Sequence, residues 1–323
     1  MRVLTVRSSI LSLSIAAVTS ISPTAYASCG SAFCTLNTMW EAQGVTMDPG
    51  FRLDLRYEYI KQDQLRAGRD KTVPENNASR EHDEQKTLNR NFVATLDYAP
   101  NADWGVSAQL PFVHRDHLHL QNEDDGSQTP ESWHFKEIGD VRVLGRRRLS
   151  SGDTSTGLIA GLKLPTGKTD VVNEDGEAAE RTLQPGTGTT DVIVGGYGNT
   201  LFQLAETPAR FFYQAQIHAP VNQSKGFRPG AQYIVDVGLA YPASGTWSAL
   251  LQLNTLVKDR DRGSAAEPED SGGSFVWLSP GMSYALGRSA QLYGFVQLPV
   301  YQRVNGVQLT ADRTASAGIS VRF

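Results

Sequence analysis

Between residues 51 and 60, Phe51, Leu53, Leu55, Tyr57 and Tyr59 fall on one parity, and Arg52, Asp54, Arg56 and Glu58 on the other. Successive side chains of a strand point to opposite faces, so this spacing predicts a strand with one apolar and one polar side. The pattern returns at 88–98, 104–120, 138–149, 157–165, 191–198, 211–220, 231–241, 247–257, 275–286 and 291–301, and in a final strand ending at Phe323. That makes about twelve strands, several near the ten residues of a tilted strand crossing a bilayer. No run approaches the roughly 18 apolar residues of a membrane helix. A chain of this kind spans a membrane as a closed barrel, because only closure leaves no backbone edge unpaired in lipid.

The connections support that reading. Segments 61–85, 121–136, 168–188 and 258–273 are long and polar, whereas 150–154, 242–246 and 287–290 are short. Long and short connections alternate by end, as outer loops and periplasmic turns do in outer-membrane barrels. Segment 199–210 is longer than this rule wants, and the connections after strands seven and eleven are shorter. Tyr98, Trp104, Phe211, Tyr241, Trp247 and Tyr284 flank the short turns, where an aromatic girdle is expected. A secreted β-sandwich would explain the alternation but neither the segregation of loops nor the last residue. Ala315, Ala317, Ile319, Val321 and Phe323 share one face, and a terminal Phe so placed resembles the signal read by the barrel-assembly machinery.

At the other end, Arg2 and Arg7 precede an apolar stretch at 10–18 and the small-x-small site Ala25-Tyr26-Ala27, the layout of a secretory signal peptide. A lipoprotein with Cys29 as lipid acceptor is the alternative, disfavoured by Tyr26. The expected division is a signal peptide at 1–27, a periplasmic lead or plug at 28–50, and an all-β transmembrane barrel at 51–323 in the outer membrane of a Gram-negative bacterium. The full chain carries a net charge of −4, which argues against nucleic acid as partner. Outer-membrane lipid, the assembly machinery at Phe323 and a small-molecule solute are the expected partners, with a periplasmic partner at the lead.

A tripeptide recurs in the outward-running strands: Gln109-Leu110-Pro111, Lys163-Leu164-Pro165, His218-Ala219-Pro220 and Gln297-Leu298-Pro299, with Gln252-Leu253-Asn254 as a proline-free version. Parity turns the first residue of each inward, so Gln109, Lys163, His218, Gln252 and Gln297 are expected to form a partial polar ring in the lumen. The alternative is that the prolines only shape the strands near the rim, since each removes a ladder hydrogen bond. Arg142, Arg146 and Arg148 share the inward parity of the neighbouring strand and would make one wall cationic unless Asp54, Glu58, Asp97 and Asp236 neutralise them.

The segment Gly161-Leu162-Lys163-Leu164-Pro165-Thr166-Gly167, with Gly139-Asp140-Val141-Arg142 before it, resembles the outer-membrane transporter-like family named for the meta-pathway of phenol degradation. The likeness extends over most of the chain after Phe51, but only these short segments are motif-like. It implies a porin-like barrel for small organic solutes; the expected function is passive diffusion through a narrow polar lumen, without a cofactor, with anionic solutes favoured by the cationic wall. A structural or adhesive barrel, and metal-linked uptake through histidines at the rim, are the other readings.

Cys29 and Cys34 are the only cysteines and lie in an oxidising compartment, which suggests a disulfide and leaves open a redox or metal contact. His117 and His119 sit two apart on one face, a spacing that can chelate a transition metal, although polar residues at a solvated rim look the same. Glu123-Asp124-Asp125-Gly126 and Glu267-Pro268-Glu269-Asp270 match no EF-hand spacing. Hydrolysis at the lipid face would need a serine beside His114, whose expected neighbours are Leu88, Arg90 and Ile138. An enzyme is therefore not expected.

Overall fold

Strand pairing follows chain order from one end of the sheet to the other. The computed structural model describes residues 36–45, 49–74, 82–123 and 125–323, so the signal segment, Cys29 and Cys34 lie outside the described residues. Among the described residues, twelve antiparallel strands close into a barrel. They are β1 (Gly50–Ala67), β2 (His82–Ala99), β3 (Trp104–Asn122), and β4 in two halves (Gln128–Ile138 and Val141–Ser150). Next come β5 (Thr154–Leu164), β6 (Asp191–Leu204), β7 (Thr207–Pro220) and β8 (Gln232–Tyr241). The last are β9 (Trp247–Lys258), β10 (Gly273–Leu286), β11 (Ala290–Val304) and β12 (Val307–Arg322). Closure is made by β1 against β12, from Arg52 opposite Arg322 to Ala67 opposite Val307.

The barrel is polar within and apolar without. On β1, Asp54, Arg56 and Glu58 are only 6%, 7% and 5% exposed, while Leu55 and Tyr59 are exposed at 46% and 38%. Water-soluble proteins show the opposite arrangement, so the outer face is one that lipid must cover. The periplasmic girdle is in place: Phe51 lies against Tyr98 at 4.7 Å, Trp247 against Tyr284 at 4.5 Å, and Arg147 covers Trp104 at 4.9 Å.

Several strands run further outward than hydrophobic alternation suggests. β1 and β2 are each 18 residues long, against about 9–11 for a membrane crossing. Their outer ends keep the backbone ladder beyond the bilayer, where no apolar face is required. Register shifts at Lys61, Gln62 and Gln64 mark a bulge, beyond which Leu65 is buried at 3%. The outer half of β4 occupies most of the stretch expected as a loop at 121–136, leaving a short tip. The expected long connection at 199–210 is likewise replaced by strand. β6 and β7 meet at Ala205 and Glu206, both with positive φ, 48° and 65°, as a type I′ hairpin turn requires. Neither residue is the usual Gly, Asn or Asp of such a turn, so the sequence carries no hairpin signal there.

Inward-facing rings fill the space above inward-facing glycines. A Cβ on Gly238 would lie 2.3 Å from Phe212 Cζ, and one on Gly281 2.2 Å from Phe295 Cδ1; each ring sits directly across from its glycine. Phe295 and Tyr293 then pack with Leu36 and Trp40, and Tyr197 with Ala42, so segment 36–45 lies inside the barrel at its periplasmic end.

At the closure, the Phe51 N–H donates to the Phe323 carbonyl and the Phe323 N–H to the Phe51 carbonyl, both at 2.9 Å, with the rings stacked at 5.9 Å. Deleting Phe323 removes this last rung. Refolding from urea into detergent should then yield less of the heat-modifiable form, read as the fraction of fast-migrating band in unboiled gels.

Candidate functional site

The lumen is narrowed from both ends. On the periplasmic side, the Asn37 N–H donates to Gln252 Oε1 at 3.1 Å and Gln252 Nε2 donates back to the Asn37 carbonyl at 3.0 Å. Trp40 Nε1 donates to Asp54 Oδ2 at 3.2 Å, and the Tyr293 hydroxyl donates to the other oxygen of that carboxylate at 2.7 Å. Arg146 pairs with Asp97 and, at 3.3 Å, with Glu41. Segment 36–45 is thereby tied to several different strands of the wall.

From the outside, the connection 165–190 folds inward. Its anchor is built by the two motif-like segments. Pro111 has no N–H to continue the ladder, and opposite it β4 breaks at Gly139-Asp140, where the Gly139 N–H reaches the Pro111 carbonyl at 2.8 Å. The break turns Asp140 into the lumen. One of its carboxylate oxygens accepts the Gly167 N–H at 3.0 Å, and the other accepts the Thr187 N–H at 2.9 Å and its hydroxyl at 2.8 Å. Lys163 stands between Asp191, at 2.8 Å, and Asp140, at 3.6 Å, and donates to Thr187 Oγ1 at 2.6 Å. Thr166 Oγ1 accepts the Val141 N–H at 2.9 Å and donates to the Gly139 carbonyl at 3.0 Å. Gly167 and Gly186 touch through their backbones; a Cβ on Gly167 would be 2.7 Å from Gly186 Cα. Further out, Leu183 and Ala179 pack on Trp133, Phe135, Leu65 and Leu309.

Two cavities lie between these constrictions. The inner one, of about 170 Å³, is bordered by segment 36–41; the outer one, of about 210 Å³, by Thr182, Gln184, Pro185 and Thr187 of the inward loop. Arg56, Gln109, Arg142 and His218 border both. His218 Nε2 lies 2.8 Å from Gln216 Oε1, and Arg56 pairs with Glu58 at 2.8 Å. Arg142 makes no hydrogen bond or ion pair among the described residues.

The proposed ring is thus split. Gln109 and His218 meet at the junction, with Lys163 in the outer cavity. Gln252 is spent on segment 36–45, and Gln297 is buried in a network with Ser279 at 3.3 Å and Asn254 at 3.5 Å. Arg146 borders the inner cavity in its ion pairs, while Arg148 is held by Asp103 at 3.1 Å near the periplasmic mouth. Arg56, Arg115 and Arg181 join the site without having been singled out. The first two carry inward parity; Arg181 lies on the loop and had no signal. His117 and His119 are not at a solvated rim but point inward, 2% and 4% exposed. His114 faces Arg90 at 3.2 Å and Lys136 across the ladder, with no serine in either place.

Around the inner cavity four arginines meet four carboxylates, whereas around the outer one six Arg and Lys side chains meet four. In the outer cavity, Glu58 is taken by Arg56, Asp140 and Asp191 by Lys163, and Asp261 by Lys258 at 2.8 Å. Arg142 lies within electrostatic reach of Asp191, Glu58 and Asp140 without an ion pair to them, and Arg115 and Arg181 donate to backbone carbonyls of the loop.

A polar lumen inside an apolar belt, closed over twelve strands, defines an outer-membrane β-barrel, and this is a protein of the bacterial outer membrane. Among solved structures, the chain is similar to the COG4313 outer membrane channel of Pseudomonas putida F1, with TM-score 0.59 and 13% identity, covering 86% of this chain and 97% of that one. The translocator domain of the autotransporter NalP of Neisseria meningitidis gives 0.43 and 10%, covering 86% and 90%. The Ralstonia pickettii toluene transporter TbuX gives 0.39 and 10%, again covering 86% and 90%. The first likeness establishes the fold, and the other two are too distant in shape to carry an argument. No protein-family model matches the chain, and no curated protein matches it.

Replacing Lys163 by Met removes the ammonium that stands between Asp140 and Asp191. Breaking one side of a buried ion pair costs about 3–5 kcal/mol. Lys163→Met should therefore unfold at lower urea than the parent, whereas Lys168→Met, which removes an exposed ion pair, should not.

Proposed function

We propose that this barrel is a passive outer-membrane channel for small polar solutes, anionic ones above all, including organic acids. The observation that carries the reading is the pair of cavities meeting at Arg56, Gln109, Arg142 and His218, with Lys163 beside them. The outer cavity is lined by six Arg and Lys side chains against four carboxylates, and a fixed local cationic excess in a confined path favours the entry of anions. Arg142, not Lys163, is the selectivity residue in this reading, because the lysine ammonium is held between two carboxylates. The resemblance of the Gly161–Gly167 segment to the phenol meta-pathway family is consistent with organic solutes and defines none of them. Segment 36–45 serves as a plug that narrows the periplasmic exit.

Reconstitution into planar bilayers under a salt gradient tests this. The parent protein should conduct with a reversal potential on the anion side, and Arg142→Glu should move it toward cations. Trp40→Ala, which removes the Asp54 hydrogen bond and the contact with the Tyr293 ring at 4.9 Å, should raise single-channel conductance. If neither the parent nor Trp40→Ala conducts above the detergent blank, the barrel is structural rather than a pore.

A further inference from the structure

Beyond both cavities, at the outer end of the barrel, lies a second cluster of side chains that permeation does not use. His82 and Glu84 open β2, His117 and His119 lie on β3, and Glu180 reaches in from the inward loop. Donor atoms of His82, Glu84, His119 and Glu180 all lie within 4.8 Å of one another. His82 Nε2 is 2.8 Å from Glu180 Oε1 and 3.7 Å from Glu84 Oε1; His117 Nε2 is 3.6 Å from Glu84 Oε2. The site is enclosed: Glu84 is 1% exposed, and Trp133 covers the His119 ring at 4.8 Å and the His117 ring at 5.6 Å.

We infer that this cluster is a binding site for a divalent first-row transition metal, with His82, Glu84, His119 and Glu180 as ligands and His117 beside them. Metal–ligand bonds of about 2.1 Å place tetrahedral neighbours roughly 3.4 Å apart, so small side-chain adjustments bring this set to bonding distance. Mixed imidazole and carboxylate donors suit zinc and its neighbours, whereas calcium and magnesium take oxygen alone. The surroundings are those of a metal site. Glu131 Oε2 lies 3.1 Å from His119 Nε2, and Thr87 Oγ1 2.9 Å from His117 Nδ1, contacts that fix imidazole orientation and tautomer.

The ligands come from β2, β3 and the inward loop. A bound ion would therefore staple the loop to the barrel wall. The role is distinct from solute passage and independent of it.

The test uses the full mature barrel, folded in detergent, with any affinity tag removed and chelator washed out. Zinc sulfate is added, excess is removed by gel filtration, and retained metal is measured by mass spectrometry, with intrinsic tryptophan fluorescence, compared with that of Trp133→Phe, as a second readout. One equivalent should be retained by the parent and by His134→Ala, which alters an outward histidine paired with Asp116 at 2.9 Å. Glu180→Gln and His119→Ala should bind about tenfold more weakly or worse. Glu180→Gln preserves shape on a loop, and heat-modifiability verifies that it folds. No retained zinc in the folded parent, or retention unchanged in both variants, overturns the assignment.

Discussion

The inward face of this barrel is organised around one buried carboxylate. Asp140 stands where β4 breaks opposite Pro111, and it accepts hydrogen bonds from Gly167 and Thr187 while facing the Lys163 ammonium. A charge so placed is tolerable only with a full set of partners, and those partners are the two ends of the inward loop. Fixing the loop ends sets where Arg181, Thr182 and Gln184 stand across the outer cavity. It also sets where Glu180 meets the histidines above. The break in the strand, the ion pair, the loop and both sites are consequences of the same constraint.

A barrel of this size must do something with its interior. Its wall presents one polar side chain for every lipid-facing one, and twelve strands enclose more space than those side chains fill in some places and less in others. Here the interior is partitioned. Rings lie over glycines near the periplasmic end, segment 36–45 packs on those rings, and the loop covers the outer half. What remains open is the middle, where Arg56 and Arg146 are paired with carboxylates and Arg142 makes no ion pair among the described residues. Lys163 and Lys258 are likewise held by acidic neighbours.

The motif-like segments acquire a physical meaning in this setting. In Gly161–Gly167 the lysine pairs, the threonine caps the broken strand, and the last glycine permits backbone contact with Gly186. In Gly139–Arg142 the glycine and aspartate make the break, and the arginine is left facing the passage. Cavity lining and loop anchoring therefore draw on adjacent residues of one strand pair. Substitutions there are best read in pairs, since neighbours in one charge network are coupled.

Much of this was written in the chain. Alternation over 51–60 and its repeats fixed the faces of the strands, because a period of two leaves no other assignment for the apolar parity in lipid. The inward direction of Gln109, Lys163, His218 and Arg142 followed from the same rule. The outer strand extensions were not legible, because beyond the bilayer neither face has to be apolar and the ladder continues without a signal. The turn at Ala205-Glu206 was hidden by residues that seldom take positive φ. Which inward residues share a level depended on register, bulges and the path of loop 165–190. Closure alone joins β1 to β12, and the inward loop alone brings Glu180 to His82 and Arg181 to the outer cavity. Local pattern determines which face a side chain occupies; only the closed sheet and its folded-in segments determine which side chains it meets there.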